Sequence, residues 1–209
     1  SLPELNYQNK LFFIGSCFSD NMAKKLRQDK ITVVNNPFGI MFHPDAIVKL
    51  LERVVDNATY NESHFFKKDG YWFCFEHHSK LAERDLPTYI NKSNKLLVET
   101  KKHLQQTDTL FVTLGSAWGY NKDGKVVANC HQQDAIFFDK KLLHIKKSIE
   151  NISGLWKKIK MINNDLNIVF TVSPVRHYKD GLVENQQSKA LLNVLCHDLT
   201  KILDNSKTY

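Results

Sequence analysis

Three short apolar runs limit what this chain can fold into: Leu11-Phe12-Phe13-Ile14, Thr109-Leu110-Phe111-Val112-Thr113-Leu114, and residues 166–172, which read Leu-Asn-Ile-Val-Phe-Thr-Val. They show little of the apolar-polar alternation of a half-solvated strand, and such runs are what strands buried on both faces look like in helix-covered parallel sheets. Each run ends in small or polar residues: Gly15-Ser16, Gly115-Ser116, and Ser173-Pro174-Val175-Arg176-His177. In a parallel sheet these ends lie along one edge, where α/β folds place ligands.

Helical patterns separate the runs. One opens directly after Ser16 and runs to about Arg27, so Gly15 permits a sharp strand-to-helix turn with Ser16 at its mouth. A second short strand is expected at Ile31-Thr32-Val33-Val34. Pro44 and Asp45 then start a helix on which Ile47, Val48, Leu50, Leu51, Val54 and Val55 recur at helical spacing. Two aromatic runs around Lys68-Asp69-Gly70 predict a β-hairpin insertion near residues 64–76. Helices are expected at about 87–106, 140–163 and 184–203, with a short strand at Lys125-Val126-Val127-Ala128. The alternation predicts an α/β sandwich with a mostly parallel sheet, residues 1–209 forming one domain.

No stretch reaches the about 18 to 20 apolar residues of a membrane span, and residues 1–10 lack the charged and apolar regions of a signal peptide, so a cytoplasmic protein without a membrane partner is expected. Cys17, Cys74, Cys130 and Cys196 are far apart and read as free thiols. The formal charge is +7, but the lysines are scattered in pairs on helical stretches, a solvated-surface pattern. With no nucleic-acid motif present, a nucleic-acid partner is not expected, and no cofactor is.

An acyl-transfer site needs a nucleophile, a base and donors for the developing oxyanion. Ser16 is the candidate nucleophile, Gly39 and Asn129 follow other strands and could add donors, and His177 or His131 could be the base, with Asp180 orienting His177. Cys17 and the Cys130-His131 pair offer thiols for a cysteine hydrolase or a Cys/His metal site, but no spacing forms a zinc cage, so no metal is expected. The simplest arrangement has Cys17 packed under the helix while Ser16 faces the cleft.

The run Gly15-Ser16-Cys17-Phe18-Ser19 resembles the motif that names the GSCFA domain family, with Ser19 where the family usually has Ala. The resemblance extends through Asn36-Pro37-Phe38-Gly39, Thr113-Leu114-Gly115-Ser116-Ala117-Trp118, Asn129-Cys130-His131, the segment from Thr171 to His177 with Asp180-Gly181, Glu184-Asn185, and Ser188-Lys189-Ala190. This bacterial family is grouped with the SGNH-type hydrolases. The resemblance implies a flavodoxin-like three-layer α/β/α sandwich and serine esterase chemistry on acylated sugars or similar small-molecule esters. It matches Ser16 to the SGNH serine, Gly39 to the glycine and Asn129 to the asparagine of the oxyanion hole. It departs from SGNH enzymes in lacking an Asp-x-x-His block; His197-Asp198 has the reverse order within a helix. The family's members continue into a further strand and a segment with Asp and His. The resemblance therefore implies that this chain lacks the family's C-terminal segment, leaving the sheet short at one edge and the acid–base pair outside. In that case Arg176 with His177 binds substrate; otherwise His177 is the base. The expected function is an SGNH-type serine esterase. The alternative is a non-catalytic module holding an anionic ligand, phosphate or a sugar acid, at the helix N-terminus after Gly15-Ser16 with help from Arg176.

Overall fold

The computed structural model describes residues 6–176, 180–204 and 206–208, with Lys207 and Thr208 described by their backbone alone. The central sheet has five parallel strands: β1 (Lys10–Gly15), β2 (Thr32–Asn35), β5 (Thr109–Leu114), β9 (Asn167–Val172) and β10 (Ser206–Thr208), in the order β10-β9-β5-β1-β2. Counting only these five, the order is 2-1-3-4-5, the flavodoxin-like arrangement. The sheet is mixed α/β with helices on both faces, as expected. β10 forms one edge of this sheet, beside β9, and β2 the other.

Strand alternation sorts the core into two. Leu11 and Phe13 point to one face, where Ala23, Met22 and Leu26 of α1 (Cys17–Gln28) cover them beside Phe111, stacked on Phe13 with ring centres 4.5 Å apart. Phe12, Ile14, Leu110, Val112, Ile168 and Phe170 belong to a larger core on the other face. It is built with α2 (Pro44–Asp56), α3 (Leu86–Gln106), α4 (Ile145–Ile162) and α5 (Leu182–Ile202). α2 shows why such segments become helices: Pro44 opens the first turn, His43 caps it through Nδ1, and Asn57 closes it in the left-handed region.

Two smaller sheets interrupt this plan. The hairpin of β3 (Phe65–Lys68) and β4 (Tyr71–Cys74) turns at Asp69-Gly70, as the sequence predicts. β6 (Trp118–Lys122), β7 (Lys125–Val127) and β8 (Asp139–Leu142) form an antiparallel sheet. Here the expectation is corrected: no strand is expected at residues 118–122 from the sequence, and residues from about 140 are expected to start the long helix. Pairing of Trp118 with Leu142 and of Tyr120 with Lys140 overrides the local helical pattern, and α4 starts only after His144 caps it. Among the described residues no helix is long and apolar enough to cross a membrane, and all four cysteines are free thiols.

Candidate functional site

The turn from β1 into α1 is gripped by the ends of its neighbours. Gly15 has φ +131°, and a Cβ there would stand 2.1 Å from the Thr113 carbonyl oxygen, so the position accepts only glycine. The Gly15 N–H donates to Asn36 Oδ1 (2.8 Å), the Ser16 N–H to Thr113 O (3.0 Å), and the Met41 N–H to Gly15 O (2.9 Å). Asn36 carries the grip onward. Its N–H donates to Phe13 O (2.9 Å), and its side-chain amide donates to Asp20 Oδ1 (2.7 Å), which also accepts from Asn35 Nδ2 (2.6 Å). Asp20 thus places a carboxylate in the first turn of α1, where the helix dipole favours it.

Ser16 is the N-cap of α1, and its Oγ accepts the Phe18 N–H at 3.3 Å. The Ser19 N–H goes to Ser16 O at 2.9 Å, which leaves the Cys17 N–H, one of the orphan donors of a helix start, without an acceptor among the described residues. Burial differs from the expected packing of this pair: Ser16 is 1% exposed while Cys17 is half-buried. The bond to Thr113 O and the capping role draw Ser16 down between β1 and β5, and the helix then carries Cys17 outward.

The other strand ends join this edge. Phe42 O accepts both the Gly115 N–H (2.8 Å) and the Ser116 N–H (3.1 Å). Lys189 of α5 reaches across to donate to Gly115 O (2.7 Å) and Ser173 O (2.8 Å), tying the ends of β5 and β9. Burial lowers its pKa below that of an ordinary lysine, against the pull of the nearby Cys17 thiol. Ser188 Oγ accepts the Ala117 N–H at 2.8 Å. Asn36, Asp20, Ser188 and Lys189 had no role in the sequence reading, although Asn36 and Ser188-Lys189 lie in the blocks that carry the family resemblance.

The remaining candidates fall elsewhere. The Gly39 N–H donates to Asn36 O at 2.8 Å, so it shapes the loop and does not point free toward an oxyanion. Asn129 Oδ1 accepts the His131 N–H (2.7 Å), and its Nδ2 has no acceptor among the described residues. His131 belongs to the hairpin: Nε2 bonds Cys74 O (2.7 Å), Nδ1 bonds Ser79 Oγ (2.9 Å), and Phe66, Phe73 and Phe75 surround the ring. Burial pushes this imidazole down, and neither ring nitrogen is bonded to Ser16. Asp180 pairs with Lys140 Nζ at 2.5 Å. His177, which it was expected to orient, lies outside the described residues. Arg176 is exposed and has no partner among the described residues. Among those residues no group of three His, Cys, Asp or Glu could hold a metal ion.

A parallel sheet in 2-1-3-4-5 order with a serine at the end of β1, next to the central strand β5, defines an α/β protein whose strand-end edge carries its polar groups. The GSCFA family model matches residues 10–209, and the chain belongs to the GSCFA family. Among solved structures it is similar to an acetyl xylan esterase from the rumen bacterium Butyrivibrio proteoclasticus, at 10% identity and a TM-score of 0.41, over 99% of this chain and 56% of that one. The chain therefore spans just over half the length of that enzyme. No curated protein matches it.

Proposed function

We propose that this protein is a serine hydrolase of SGNH type that cleaves an ester of an acylated carbohydrate or small molecule. The observation that carries this reading is the glycine-enforced turn at Gly15, which sets the Ser16 hydroxyl at a helix N-terminus beside an uncommitted Cys17 N–H. In the mechanism, Ser16 Oγ attacks the acyl carbonyl and a histidine accepts its proton. The Cys17 N–H holds the oxyanion, the histidine passes its proton to the departing alcohol, and water then hydrolyses the acyl-enzyme. The histidine is His177 or one from the family's C-terminal block. Because Ser16 is 1% exposed, substrate reaches it only when side chains at this edge give way.

A fluorophosphonate probe tests the reading, on this chain and on one extended through the family's C-terminal block. Labelling of the wild type, and none of Ser16→Ala, is expected. Absence of labelling in both lengths overturns the nucleophile assignment and leaves the anion-binding reading.

A further inference from the structure

A cleft of about 460 Å³ opens at the same edge, lined among others by Phe42, Ser116, Trp118, Tyr120, Arg176 and Asp180. Its volume lies in the range of about 300–1,000 Å³ usual for small-molecule sites. Ser116 is three residues beyond Thr113, whose carbonyl holds the Ser16 N–H, so about 11 Å of chain at most separates the cleft from the serine turn.

The lining has two kinds of group. Trp118 and Tyr120 stand two residues apart on β6, so their rings leave the same face of the small sheet, and Tyr120 is 40% exposed. Ser116 Oγ accepts the Trp118 N–H at 3.0 Å and keeps its own hydroxyl proton to donate. The charges do not cancel. Asp180 is neutralised by Lys140, whose Nζ also lies 5.1 Å from the centre of the Trp118 ring. His43, also in the lining, is buried and pushed toward its neutral form by desolvation. The charge left over is the guanidinium of Arg176, whose planar fork suits two oxygens of one anion.

We propose that this cleft seats the sugar part of an acylated acidic sugar, with the ring against Trp118 and Tyr120 and its carboxylate or phosphate on Arg176. The acyl end of this assignment rests on the hydrolase reading of Ser16; the sugar end can be tested without turnover.

The test is calorimetric titration of the protein with glucuronate, glucose 6-phosphate and glucose. At least one of the two acidic sugars binds ten-fold or more tightly than glucose, and the stronger of the two identifies the anion. Arg176→Gln brings both acidic sugars to within about three-fold of glucose, Arg176→Lys recovers only part of the difference, and Trp118→Ala weakens all three together. Equal affinities, no detectable binding, or discrimination that survives Arg176→Gln overturns the assignment. Acidic sugars that bind through Arg176 to a protein whose Ser16 takes no fluorophosphonate would leave the cleft standing and remove the hydrolase. Labelled Ser16 without sugar discrimination would do the reverse.

Discussion

Two regions of this molecule concentrate polar groups inside the fold, and they use them in opposite ways. Around the hairpin lie Glu76, Arg53, Lys49, Tyr60, His77, Tyr89 and His131, a richer chemical inventory than the edge at Ser16. Nearly all of it is committed. Glu76 accepts from Arg53 Nε (2.7 Å), Arg53 Nη2 (3.2 Å), the Tyr60 hydroxyl (3.0 Å) and Lys49 (3.0 Å), and His131 bonds through both ring nitrogens. Burial opposes ionisation of Glu76, but these cations outweigh it and hold its carboxyl down at about 2. Burial also pushes the Cys74 thiol up to about 12. At the edge there are few charges, yet a hydroxyl with one long bond and a helix-start N–H remain uncommitted. Capacity for chemistry lies in the unspent donors and acceptors rather than in the number of titratable side chains.

Substitutions on the two sides separate these roles. The largest effect is expected for Ser16→Ala, which removes ester hydrolysis by about 10³-fold or more. Loss of the cap costs only about 1 kcal/mol, or about 2–4 °C in Tm for a chain of this size. Steady-state kinetics and thermal melts read the two numbers, and a melt that collapses along with the activity would move Ser16 into the structural group. Next, Glu76→Gln strands Arg53 and Lys49 and destabilises the fold by about 3 kcal/mol in urea titrations at pH 7. Since the folded carboxyl titrates near 2 and the ordinary value is 4.5, the wild type keeps this contribution above about pH 4.5. It loses it as pH falls toward 2, and the variant does not show that loss.

Gly15→Ala forces a Cβ against Thr113 O in the left-handed region and costs about 2 kcal/mol or more. It also moves Ser16, so labelling by the probe falls with it; a variant of full stability and full labelling would show that the turn does not depend on glycine. The smallest effect is expected at His77, whose Nδ1 bonds the Tyr89 hydroxyl (3.1 Å) while Nε2 has no partner among the described residues. Burial among Phe38, Tyr60 and Phe65 depresses its pKa to about 3 from 6.5. The unfolded chain therefore takes up the proton first, and stability falls as pH drops below 6.5. His77→Phe flattens that slope between pH 6.5 and 4.5, by about 2 kcal/mol across the window, with the activity at pH 7 kept. A slope unchanged by the variant would place the titrating group elsewhere.

Local pattern was enough for β1, β5 and β9, for the Pro44 start and apolar stripe of α2, for the Asp69-Gly70 hairpin and for the turn at Gly15-Ser16. Each of these depends on a few adjacent residues: an apolar run, a 3.6-residue period, a glycine before a helix. The small sheet was not legible because β8 becomes a strand only by pairing with β6, some twenty residues earlier. The roles of single side chains were least legible. His131 follows a short strand exactly as a base might, yet the hairpin takes both its nitrogens. Asp180 sits three residues from His177, yet its carboxylate goes to Lys140, 40 residues away.

What the sequence determined by itself is therefore the strand-helix alternation, the glycine that bends β1 into α1 and the set of strand ends that must share an edge, because these follow from short-range sterics and burial. Only the tertiary structure decided that Ser16 lies deeper than Cys17, that Asn36 holds the turn from 21 residues away, and that Lys189 ties Gly115 to Ser173 from 74. Those choices depend on which partners the crossovers bring within 3 Å, and a hydrogen bond at that range is governed by position in space rather than by neighbours in the chain.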